Sequence, residues 1–114
     1  MVEIMIKGAP RAYKFGYGAL MIYEQLTGKA FAYDGSITAT LAIHYACVLY
    51  GNPDINLSLA EFAHIADSDA ALRAALSDAL KQEVERFNNA GASEPKDEPK
   101  DEPKDEPKDS KKKN

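Results

Sequence analysis

The spacing of apolar side chains changes along the chain from a period near two to periods of three and four. Val2 to Ile6 alternates, with polar Glu3 and Lys7 nearby, and Ala12 to Phe15 resumes the β-favouring character after a break at Gly8 and Pro10. That pattern predicts a strand pair with a short loop. In GYGALMIYEQLTGK, Ala19, Ile22, Tyr23 and Leu26 recur at i, i+3, i+4 and i+7, on one helical face, while Glu24 and Gln25 turn away. Gly28 supplies the left-handed residue that closes such a helix. After the Asp34-Gly35 turn, Ser36 is placed to cap a second helix over about residues 37 to 50. Ile37, Leu41, Tyr45, Val48 and Leu49 line one side of it, and Ala39, Ala42, Ile43, Ala46 and Cys47 fill much of the rest. A helix apolar nearly all round is a buried one.

Gly51-Asn52-Pro53 ends that helix, and Ser58-Leu59-Ala60-Glu61 then matches a capping box opening a short helix to about residue 66, with Leu59, Phe62 and Ile65 inward. Asp67-Ser68-Asp69 interrupts it and is placed to cap a last long helix over about residues 70 to 89. Leu72, Leu76, Ala79, Leu80, Val84 and Phe87 form its apolar stripe. The fold class read from this pattern is α+β, mostly helical: an N-terminal β-hairpin and about four helices, followed by a disordered tail.

Residues 1–92 make one small folded domain, because residues 94–114 contain no apolar side chain. The tail of residues 93–114 repeats Glu-Pro-Lys-Asp from Glu94 to Asp109 and ends in three lysines and Asn114. Each proline removes a donor and pushes its predecessor towards extended backbone, and nothing offsets the entropy of ordering. The expectation is a solvated segment reaching roughly 60 Å at about 3.1 Å per residue.

Charge and composition then remove function classes. Residues 1–93 hold ten acidic and seven basic side chains without a basic cluster, which argues against nucleic acid as a partner. The uncharged stretch Ser36 to Asn52 is shorter and more polar than the roughly 20 apolar residues a bilayer crossing needs, so no membrane association is expected. The single cysteine, Cys47, excludes an internal disulfide and suits a reducing cytoplasm, and no secretory leader pattern opens the sequence.

No catalytic, metal-binding or cofactor-binding constellation stands out. His44 and Cys47 lie one turn apart, but no second pair completes a metal site, and His64 with Glu61 one turn earlier suits a surface ion pair. Asp67-Ser68-Asp69 lacks the glycine and distal glutamate of a calcium loop, and Gly8, Gly16 and Gly18 do not have phosphate-loop spacing. The short-helix, turn, helix of residues 58–76 has the outline of a DNA-reading motif, yet its second helix would bring Asp69 and Asp78 towards phosphates.

The strand pair, the run Phe15-Gly16-Tyr17-Gly18-Ala19-Leu20 leading into Tyr23-Glu24-Gln25-Leu26-Thr27-Gly28-Lys29, the buried helix and Leu57-Ser58-Leu59-Ala60-Glu61 together resemble the tail assembly chaperones of long-tailed bacteriophages and their prophage relatives, over about residues 2 to 88. The resemblance implies a non-enzymatic protein of the bacterial host cytoplasm that coats the tape measure protein, promotes polymerisation of the tail tube protein and is absent from the mature virion. It further implies a short product and a longer, frameshifted one. Lys111-Lys112-Lys113-Asn114 is compatible with an A-rich slippery codon run, so the chain is expected to be the short, pre-frameshift form with its tail as a tether. The lysine codons of the gene decide this.

A small domain buries more surface by self-association, so a homo-oligomer is expected. Client contacts are expected from exposed apolar patches, with Tyr13, Phe15 and Tyr17 beside the strand pair and Phe62 and Phe87 on the last two helices as candidates, the two phenylalanines also suiting the core. The alternatives are a small helix-turn-helix DNA-binding regulator and a generic self-associating adaptor domain.

Overall fold

An antiparallel hairpin precedes four helices in a computed structural model that describes residues 1–32 and 34–92. The chain is thus α+β and mostly helical. β1 (Val2–Ile6) and β2 (Ala9–Tyr13) are joined by Lys7 and Gly8, both at positive φ (54° and 76°). That is the two-residue turn whose twist matches the strands. Met1–Val84 makes one compact unit, and a second unit begins at Glu85. The disorder expected of residues 93–114 lies outside the described residues.

The register places Val2 opposite Tyr13, Ile4 opposite Arg11 and Ile6 opposite Ala9 on the inner face, with Ile4, Ile6 and Tyr13 buried. Glu3 opposite Ala12 and Met5 opposite Pro10 form the outer face. Pro10, read from sequence as part of the break, lies inside β2, which ends at Tyr13 instead of running to Phe15. It is tolerated because Ala12, two residues on, directs its N–H and C=O away from β1 to the Asn52 side chain (3.2 and 2.7 Å), so Pro10 by alternation also faces away and costs no ladder bond.

The helices are α1 (Tyr17–Thr27), α2 (Ile37–Gly51), α3 (Leu59–Asp67) and α4 (Ala70–Ala92). Their ends follow the capping chemistry. Gly28 closes α1 at φ 74° with its N–H on the Glu24 carbonyl, Ser36 Oγ accepts from Ala39 N–H (3.1 Å), and Asp69 accepts from Leu72 N–H (3.0 Å). Ser58 accepts from Glu61 N–H (3.1 Å), but the reciprocal half of the box is not made: Glu61 turns to Lys7, 3.5 Å away.

α2 is the central element, packed along α1 and backed onto β2, with an unbroken buried run from Ala42 to Val48. Small Ala39, Ala42 and Ala46 let neighbours approach closely. Ile37, expected on its packed side, is instead 84% exposed, because it stands in the first turn beyond the reach of α1 and β2. On α1, Ala19 and Tyr23 are buried as read, Ile22 is half-buried and Leu26 is 40% exposed. Among the described residues no helix is long and apolar enough to cross a membrane.

Candidate functional site: an apolar groove beside a buried polar cluster

A cavity of about 340 Å³ opens between α2, α3 and the first turns of α4. Ile37 and Leu41 from α2, Ala63 from α3 and Leu76 from α4 give it an apolar wall, with Thr40, His44, Asp67, Arg73 and Ser77 as its polar components. Sequence dictates this opening. The α3–α4 junction is a tight turn at Ser68, whose hydroxyl donates to the His64 and Ile65 carbonyls, while Arg73 reaches back to donate to the carbonyls of Ala66 (2.7 Å) and Asp67 (2.9 Å). Arg73 therefore closes the end of α3 from the first turn of α4.

Beneath the groove lies a cluster of buried polar side chains. The Tyr13 hydroxyl is 2.7 Å from His44 Nδ1, and the buried Cys47 lies one turn further along α2. A phenol is the strong donor and an imidazole nitrogen the strong acceptor here, so the hydroxyl donates to Nδ1. Burial holds the His44 pKa down at about 4, raises the Cys47 thiol to about 12, and raises Tyr13 above its ordinary value. At neutral pH all three are uncharged. They pin the hairpin to α2 through hydrogen bonds, and His44 and Cys47 act as a packed pair tied to Tyr13.

Glu83 completes this region at 1% exposure, one oxygen accepting the Phe15 N–H (3.0 Å) and the other 2.8 Å from the Met1 ammonium. The sequence reading did not single it out. The signal was present: Leu72, Leu76 and Ala79 continue at the same spacing to position 83, so a carboxylate stands on the apolar stripe and needs buried donors.

Of the residues read as client contacts, three are removed from the surface. Tyr13 and Phe62 are fully buried and Phe15 is 8% exposed. Tyr13 points inward from β2, and Phe62 packs against Tyr45 with ring centroids 5.7 Å apart. Tyr17 is 75% exposed and Phe87 half-exposed. Met21, one turn after Tyr17 on α1, is 62% exposed, and neither it nor Ile37 was among the candidates. His64 is exposed, and Glu61, read as its ion-pair partner, is beside Lys7. Among the described residues no three metal-ligating side chains gather. No protein-family model, curated protein or solved structure matches the chain.

Proposed function

We propose that this chain is a tail assembly chaperone of a long-tailed phage or prophage, acting without catalysis by binding the tape measure protein and promoting tail tube polymerisation. The likeness of Tyr23 to Lys29 and Leu57 to Glu61 to that family supports the reading. The observation that carries it is the groove: an apolar cavity of about 340 Å³ with Ile37 at its lip, 84% exposed, suited to a large apolar side chain from a helical client. Tyr17 and Met21 add a second exposed apolar strip on α1. Such a protein works in the host cytoplasm and leaves before the virion is complete.

Co-expression of the full chain with a tagged tape measure protein tests this. The chain is expected to co-purify, and Ile37→Glu is expected to reduce recovery at least about tenfold with unchanged circular dichroism, since a charge would have to be desolvated in the groove. Recovery equal to that of an unrelated acidic control protein would overturn the proposal.

A further inference from the structure

We propose that the outer edge of β1 is a self-association site, where a second copy of this chain adds its own β1 antiparallel to give one four-stranded sheet across a two-fold axis. The inference is independent of the client proposed above.

The two edges of the hairpin are treated differently. The edge of β2 is occupied: Asn52 takes both backbone groups of Ala12, the Cys47 carbonyl accepts from Lys14 N–H (3.2 Å), and Pro10 has no N–H to offer. The edge of β1 follows from the same geometry. In an antiparallel pair, residues opposite one another face the same way in hydrogen bonding, so Glu3 opposite Ala12 and Met5 opposite Pro10 direct their N–H and C=O groups outward. Among the described residues no backbone group of another element pairs with them.

Exposed edges are ordinarily blunted by proline, a bulge, a lysine or a covering element. Within β1 the sequence VEIMI has no proline or lysine, its one charged side chain is Glu3, and Met5 is 52% exposed. The strand is also self-complementary. With the axis at Ile4, Glu3 stands opposite Met5 of the second copy on both sides, which forms four main-chain hydrogen bonds and keeps the two Glu3 carboxylates from directly opposing one another. The diagonal neighbours of Glu3 are then Glu3 and Lys7 of the second copy, and the Lys7 side chain, 63% exposed, brings a positive charge to the two carboxylates.

Sedimentation of the full chain from low micromolar to about 1 mM, with amide exchange read at both ends of the range, tests the proposal. The expected result is a monomer–dimer equilibrium in which the Glu3 and Met5 amides become protected as the dimer forms, while the Ile4 amide is protected throughout. Met5→Pro is the decisive variant, because the lost N–H faces the second copy and not β2, so the hairpin should survive as it survives Pro10. Dimer affinity should fall at least about tenfold with unchanged circular dichroism. If that variant loses its fold, Met5→Glu is read in its place, with the same expected loss, because its carboxylate would stand directly opposite Glu3 of the second copy. A chain that stays monomeric throughout, a folded variant that dimerises as before, or a dimer whose Glu3 and Met5 amides remain unprotected would each overturn the proposal.

Discussion

Gly18 lies against the Tyr50 ring so closely that a Cβ there would come within 2.1 Å of ring carbon Cε1, and a Cβ on Gly51 would press on the Ala12 carbonyl. Two glycines therefore set how near α1 and β2 come to the end of α2. Gly18→Ala should destabilise the protein by about 1–3 kcal/mol, as overpacking generally does. In Tyr50→Ala the same substitution should cost much less, and denaturant melts of the four variants measure that coupling. His44 gives the matching statement about pH. Its pKa is depressed from 6.5 to about 4, so the unfolded chain takes up the proton first, and stability is full above about pH 6.5 and falls as pH drops towards 4. About 3 kcal/mol should be lost across that window, and His44→Asn should flatten the dependence in urea melts.

Helix α3 shows how a motif read at the element scale is half realised. Ser58 caps it as the sequence indicates, but Glu61 spends its carboxylate on Lys7 near the hairpin turn. Ser58→Ala should therefore cost about 1 kcal/mol and Glu61→Gln only a few tenths, since its ion pair is solvent-exposed. Thermal denaturation separates the two. The other element boundaries were legible for the same reason that Ser58 was: Ser36, Gly28 and Asp69 are local capping signals that need no tertiary context. Faces were less legible. Ile37 and Leu26 keep the helical period of buried residues but lie at helix ends where no neighbour covers them, and periodicity carries no information about that. Strand β2 was displaced for a related reason, because proline reads as a break unless it is known that its ring nitrogen faces away from the partner strand.

At the scale of the molecule, the hairpin and α2 are tied through Tyr13, His44, Cys47 and Asn52, leaving the start of α2 and the α3–α4 junction to frame an apolar opening. The candidate site was legible only as an expectation of exposed apolar surface. Tyr13 and Phe62 went to the core because each has a specific buried neighbour, His44 and Tyr45, that is distant in sequence. The groove residues come from three helices, and only their packing brings them together. The most direct test is a methyl NMR titration of the full chain with a helical tape measure segment. The account expects the methyl signals of Ile37, Leu41 and Leu76 to shift together and saturate. Saturable binding that leaves those three unmoved, or no binding at all, would contradict it.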